Sequence, residues 1–341
     1  MASLSRLVGA MFSSVLLTFI FFSIFLAALA VALDISPVLA VLATLLFMVI
    51  QYVVGPAIVV YSTGLRYLQP GEHPWLEATV HDLALRAGIP MPRLAMVQDE
   101  SPNAFTFGTT RANSTLAVHA GLLRTLSEDE VRGVIGHELG HIKHRDFMVV
   151  TMLSALPLIC YIAARGLMQW GRVRSRDRRE REPAALLAVG LVAYVIYFIT
   201  LYLVRHLSRM REHYADAYSA YLTGSPHSLA SGLTRIAYGL SLKPEEAHGA
   251  RAFYIQDPAQ SAREVQGILV RKDMYDLDRD GVLDERELEL AMEHEARSTW
   301  SRMNSTFSTH PPTYRRILLL RQIEGEMREG RYTSRSIYNH V

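Results

Sequence analysis

Residues 127–164 read SEDEVRGVIGHELGHIKHRDFMVVTMLSALPLICYIAA, and this stretch decides the fold class. Ser127 and Glu130 form the S-x-x-E pair of a capping box. Glu128, Asp129 and Glu130 put negative charge in a first turn, where the helix dipole favours it. A helix therefore starts near 128. Its interior carries His137-Glu138-Leu139-Gly140-His141, which is H-E-x-x-H. On a helix His137 and His141 leave the same face about one turn apart, close enough to share one zinc ion. Glu138, between them, is placed to take a proton from a metal-activated water, so the motif points to a metalloprotease. The pattern fixes few positions, and a solvent-facing helix with scattered histidines would also satisfy it. Gly133, Gly136 and Gly140 weigh against that plainer reading. Each costs a helix about 1 kcal/mol relative to alanine, which makes sense if another backbone packs tightly here.

The apolar run that follows places the motif beside a membrane. Half of the 341 residues are apolar, and they are clustered. Residues 11–33, 35–63, 147–164 and 184–204 carry no charge, and each run has about 18 residues or more, enough to cross a hydrocarbon core as a helix. The first is too long for the core of a signal peptide, and a second span follows at once, so it reads as an anchor. The expected fold is mainly α, with about four apolar transmembrane helices and a catalytic part containing a small sheet. The single cysteine, Cys160, lies in the third run and reads as packing; it allows no internal disulfide and gives no sign of an oxidising compartment. A formal charge of +2 suggests no nucleic-acid partner. Arg172, Arg174, Arg176, Arg178, Arg179 and Arg181 read as a solvated loop touching lipid headgroups. Arg6 and Arg66 flank the first hairpin while its connecting loop carries only Asp34, which places the amino terminus and the segment after 64 in the cytoplasm. The Arg-rich loop then falls outside, against the same rule, unless the third and fourth apolar helices do not fully cross.

Between the spans, a helix is expected over 73–88, ending at Gly88 and Pro90, then strands at 93–98, 104–109 and 115–119. After the fourth run the helix continues through 222. Further helices are expected at 228–240, 259–275, 284–298 and 311–329. The organisation expected is a transmembrane hairpin (1–64), a first catalytic part (65–146) and a second apolar hairpin (147–204). A second catalytic part (205–260), an insert (261–298) and a C-terminal catalytic segment (299–341) follow.

Two histidines leave a catalytic zinc short of protein ligands. Arg211-Glu212-His213-Tyr214-Ala215-Asp216 offers the third. Glu212 and Asp216 share a helix face; Glu212 can bind the metal, and Asp216 can orient a ligand histidine by accepting its free ring N–H. Ala215 is small enough to let this helix approach the glycines. An ordinary charged helix end is the alternative, and it would prevail without the histidine motif.

HELGH, paired apolar helices and R-E-x-x-A-D together resemble the HtpX-type membrane zinc peptidases, relatives of the CAAX prenyl endopeptidases. Asn103-Ala104-Phe105 and Ser308-Thr309-His310-Pro311-Pro312 add to the match, which spans roughly 5–240 and 300–322. The resemblance implies a gluzincin-like α+β zinc-peptidase domain with His137, His141 and Glu212 as ligands and Glu138 as general base. The expected location is the cell (inner) membrane, with the catalytic domain cytoplasmic by the charge distribution above. The substrates that the resemblance implies are polypeptides, damaged or misfolded membrane proteins above all. His310, held rigid by Pro311 and Pro312, is the candidate to stabilise the oxyanion; in relatives a histidine in this context approaches the zinc and can occlude it. Helix capping is its plainer role. The strand at Ala104 and Phe105, after Asn103, could bind substrate backbone by strand addition.

Residues 276–287 depart from that family. They read DLDRDGVLDERE, an EF-hand calcium loop. Asp276, Asp278 and Asp280 stand at loop positions 1, 3 and 5, Val282 offers its carbonyl at 7, Asp284 stands at 9 and Glu287 is the bidentate ligand at 12. Gly281 permits the turn. Zinc and calcium are therefore the expected metals. The rivals to a quality-control peptidase are a CAAX-type processing peptidase and a non-catalytic, calcium-responsive membrane scaffold.

Overall fold

The structure, a computed structural model, describes residues 2–174, 182–242, 266, 268, 270–279, 285–296, 310–334 and 336–339. Helices α1 (Ala2–Leu33) and α2 (Pro37–Thr63) open the chain, followed by β1 (Arg66–Tyr67), α3 (Pro74–Ala87), β2 (Arg93–Val97), β3 (Ala104–Gly108) and β4 (Ser114–His119). Then come α4 (Ala120–Thr125), α5 (Glu128–His144), α6 (Asp146–Arg174), α7 (Glu182–Thr223), α8 (Pro226–Leu242), α9 (Glu285–Ala296) and α10 (Thr313–Arg328). The chain divides into two compact units, Val8–Gly55 with Met148–Leu207, and Met1–Leu7 with Pro56–Phe147 and Ser208–Val341.

The first unit is helical and apolar. Among the described residues, three helical stretches are long and apolar enough to cross a membrane: Phe12–Val31, Pro37–Thr63 and Leu187–Thr223. The fourth expected span falls in α6, whose apolar stretch Leu153–Gln169 is shorter than these. The unit turns large apolar side chains outward, Leu16, Ile24, Leu42, Val49, Leu191 and Phe198 among them, a surface suited to lipid. Within it, Gly190 lets α7 approach Met168 and Ala164 of α6, and Cys160 is buried as packing. Arg176, Arg178, Arg179 and Arg181 lie outside the described residues.

The second unit holds a four-stranded sheet in the order β1-β2-β4-β3. β2 and β4 run parallel, with Ala95 opposite Ala117, and β3 lies antiparallel to β4 at the edge, with Phe105 opposite Ala117 and Thr106 opposite Leu116. The alternation of β3 sorts its side chains. Phe105 and Phe107 join Val59, Leu65, Ala95, Val97 and Ala117 in one core, while Thr106 faces α5. Strands were expected at the positions of β2, β3 and β4; two-residue β1 was not.

Helix α5 begins as expected. Ser127 Oγ accepts from Glu130 N–H, and Glu130 Oε2 accepts from Ser127 N–H at 2.7 Å. The helix is buried around most of its circumference, which explains its glycines. A Cβ on Gly133 would lie 2.9 Å from the backbone nitrogen of Leu229 on α8. On Gly136 it would lie 2.8 Å from Ser219 Oγ, and on Gly140 it would lie 3.3 Å from Ala215 Cα, both on α7. Ala215 therefore answers Gly140 alone, and the other two glycines admit different neighbours.

Helix α10 follows Pro311-Pro312 and packs against α8 and α9. Lys272–Met274 forms a 3-10 turn; most of the helix expected over 259–275 lies outside the described residues.

Candidate metal centre

His137 and His141 stand where the helical spacing puts them, with ring centroids 4.7 Å apart and Nε2 atoms 3.1 Å apart. Glu212, brought in by α7, straddles the pair. Its Oε2 lies 3.6 Å from His137 Nε2 and its Oε1 lies 3.5 Å from His141 Nε2. His310 completes the cluster from the residue before Pro311, with Nδ1 3.4 Å from Glu212 Oε2. Glu212 Oε2 and both His310 ring nitrogens are buried without a hydrogen bond.

Glu138 is also buried, and its Oε2 accepts a hydrogen bond from Thr106 Oγ1 at 3.0 Å. Burial raises its carboxyl above the usual range, opposed by His141 and His137. His137, Glu138 and His141 each offer a ligand atom within 4.8 Å of the others. By distance alone Glu138 competes with Glu212 as a third ligand. Thr106 occupies one oxygen of Glu138, whereas Glu212 presents both oxygens to the histidines and leaves Oε2 unsatisfied.

Each histidine has a carboxylate behind it. Asp216, one turn beyond Glu212, places Oδ1 2.9 Å from His137 Nδ1. Asp146 Oδ2 lies 2.7 Å from His141 Nδ1. Arg145, just past α5, takes a left-handed conformation (φ 57), and the chain turns there into α6, whose first residue is Asp146. Each carboxylate meets a buried arginine in turn. Arg316 donates to Asp216 through Nε at 2.8 Å and Nη2 at 2.7 Å. Arg211 donates to Asp146 Oδ1, and to the His144 carbonyl at 3.0 Å. Burial pushes the Asp146 carboxyl up, but the Arg211 charge and the His141 hydrogen bond hold it below its usual range.

The donor set fits a divalent metal such as zinc. Two imidazole Nε2 atoms and a carboxylate converge, and buried polar atoms there lack partners. When ionised, Glu138, Glu212, Asp146 and Asp216 outweigh Arg211 and Arg316, leaving negative charge for a cation to balance.

Asn103, Ala104 and Phe105 are buried. Asn103 Nδ2 lies 3.4 Å from His119 Nε2, and its carbonyl accepts from His119 N–H at 2.9 Å. What this segment can offer a ligand is the outer backbone of edge strand β3. In the acidic loop, Asp276, Asp278 and Glu287 bring carboxylate oxygens within 4.8 Å of one another. Glu287 Oε1 accepts from Leu277 N–H at 2.6 Å. Asp280, Val282 and Asp284 lie outside the described residues, as do Ser308 and Thr309.

Sequence reasoning missed Asp146, Arg316, the Thr106 contact and the role of Arg211. Arg316 did leave a trace. It stands beside Ile317, Leu320 and Ile323 on the buried face of α10, a place where a charge needs a partner.

The sequence profile described as Peptidase family M48 matches residues 70–324. The chain belongs to that family. A protein named Protease HtpX homolog from Methanothermobacter thermautotrophicus is 42% identical over 206 residues, covering 59% of this chain and 76% of that one. Another of the same name, from Aeropyrum pernix, is 33% identical over 281 residues, covering 82% and 84%. The crystal structure of S. mikatae Ste24p aligns with 71% of this chain and 61% of that one, at 15% identity and a TM-score of 0.42. This M48 protein is therefore a membrane metallopeptidase of the HtpX type, and HELGH lies inside the matched region.

Proposed function

We propose that this M48 peptidase is a zinc endopeptidase with His137, His141 and Glu212 as its ligands. The observation that carries the reading is the Glu212 carboxylate, 3.5 Å and 3.6 Å from the two Nε2 atoms, with one oxygen buried and unsatisfied. When bound, zinc supplies a Lewis acid that activates water and polarises the peptide carbonyl. The rest of the chemistry belongs to the chain. Glu138, held by Thr106, takes the proton from the attacking water and delivers it to the leaving amine as the C–N bond breaks. His310, buried beside Glu212, is the group available to stabilise charge on the carbonyl oxygen. Asp216 and Asp146 accept the Nδ1–H of His137 and His141 and keep each Nε2 lone pair turned into the site. Backbone on the outer edge of β3 binds an extended substrate by strand addition. That mode uses main-chain hydrogen bonds and suits weak sequence preference, hence damaged or misfolded membrane proteins as substrates, with the catalytic part on the cytoplasmic side.

Purified wild type should cleave casein or a misfolded membrane protein, and Glu138→Ala should not. Preference for a prenylated peptide would move the assignment to a CAAX-type processing peptidase. Cleavage by neither protein would favour a scaffold.

A second metal is part of the proposal. The spacing of residues 276–287, with Asp276, Asp278 and Glu287 within 4.8 Å, supports calcium binding there. A lone EF-hand of this kind would bind at about 10⁻⁵–10⁻³ M. Glu287 lies on α9, which packs against α10, the helix that begins just after His310-Pro311-Pro312. Calcium would act through that packing on His310, and Glu287→Gln should remove any calcium dependence of the rate.

A further inference from the structure

The two histidines are backed in the same way from different parts of the chain. His137 meets Asp216, and Asp216 meets Arg316. His141 meets Asp146, and Asp146 meets Arg211. Both guanidiniums are buried, Arg316 completely. A buried guanidinium is costly unless it is paired; Arg316 engages Asp216 with two nitrogens, whereas Arg211 reaches Asp146 and the His144 carbonyl through Nη2 alone.

We infer that Arg211 and Arg316 are positioning residues that set the metal affinity of the site. This inference rests on the zinc reading above. Arg316 spans both oxygens of Asp216, at 2.8 Å and 2.7 Å, so the carboxylate cannot rotate away from His137 Nδ1. Arg316 Nη2 also lies 3.3 Å from that Nδ1. It is committed to Asp216 by the shorter contact, which leaves Nδ1–H to donate to Asp216 and Nε2 free to accept a metal. Arg211 fixes Asp146 and also donates to the His144 carbonyl, tying the end of α5 to α7 beside Glu212.

The two arms differ in origin. Arg211 precedes the Glu212 ligand on α7. Arg316 comes from α10, 179 residues after His137, and Nη1 also lies 3.7 Å from Glu212 Oε2. The C-terminal helix therefore completes the metal site without contributing a ligand. A metal-free chain would hold α10 by packing, but the histidine geometry needs its arginine.

The test uses the full-length protein in detergent. Zinc affinity is measured by competition with a chelating dye, and ligand geometry by the visible spectrum of the cobalt(II)-substituted form. Arg316→Lys keeps a cation but loses the two-nitrogen grip on Asp216, and Arg211→Lys keeps a cation but loses the guanidinium whose Nη2 joins Asp146 to the His144 carbonyl. Each should weaken zinc binding by about 10–100-fold and change the cobalt spectrum. The double variant Asp216→Asn with Arg316→Met removes both buried charges together and relieves the unpaired-charge penalty. It should melt like wild type in the metal-free form while its zinc affinity stays low. Wild-type affinity and spectrum in both lysine variants would overturn the inference, as would restored affinity in the double variant. Absence of stoichiometric zinc in the wild type would instead remove the zinc reading itself.

Discussion

Thr106 Oγ1 on β3 lies 3.0 Å from Glu138 Oε2 on α5 and donates a hydrogen bond to it. The edge of the sheet thus steadies the carboxylate assigned as general base. Thr106→Val should lower kcat about tenfold with zinc content unchanged, since a hydrogen bond to a charged group contributes about 1.5 kcal/mol. Thr106→Ser should stay close to wild type. A wild-type kcat in Thr106→Val would show that Glu138 needs no such support.

The glycines of α5 give a graded stability prediction. Gly133→Ala forces a Cβ to 2.9 Å from a backbone nitrogen of α8, which cannot yield without moving the helix. It should destabilise the protein by about 1–3 kcal/mol. Gly140→Ala meets Ala215 Cα at 3.3 Å and should cost less. Denaturant midpoints in detergent would contradict this packing account if Gly140→Ala proved the more damaging.

His144 supplies a pH dependence. Its ring packs 4.0 Å from that of Tyr214, between centroids. Burial pushes its pKa down to about 4 from 6.5, and Arg211, Arg111 and Lys143 push the same way against Asp146. The folded state thus favours the neutral ring, while the unfolded chain takes up a proton below about 6.5. The stabilisation is complete above that pH and is lost as pH falls towards 4. Discounted for partial exposure, it is on the order of 2 kcal/mol. With saturating zinc, wild type should lose more thermal stability between pH 7.5 and 5 than His144→Phe, and equal losses would contradict the assignment.

Much of this was legible in the sequence because it is local. Ser127 and Glu130 announce the start of α5, Gly88 ends α3, and the spacing of His137, His141, Glu212 and Asp216 follows from helical geometry. Strands β2, β3 and β4 show as short, largely apolar runs set off by turn residues. Two-residue β1 has no pattern to read and exists only through pairing with β2. Asp146 reaches His141 only because Arg145 adopts a left-handed turn, and Arg316 reaches Asp216 from 100 residues away. Such contacts depend on tertiary packing that no window of sequence contains.

The acidic loop predicts a separable calcium effect. Adding millimolar calcium to zinc-loaded wild type should raise its melting temperature, because an ion that binds only the folded state stabilises it. The rise should vanish in Glu287→Gln while zinc content stays the same. An equal rise in both proteins would place calcium elsewhere.

The central claim is that Glu212 is a metal ligand and Glu138 is the base, although both carboxylates stand beside the same two histidines. Zinc stoichiometry of the purified protein by elemental analysis, compared across Glu138→Gln and Glu212→Gln, tests it most directly. The account predicts one zinc per chain in wild type and in an inactive Glu138→Gln, and loss of zinc in Glu212→Gln. Retention of zinc by Glu212→Gln with loss from Glu138→Gln would exchange the two roles and contradict it.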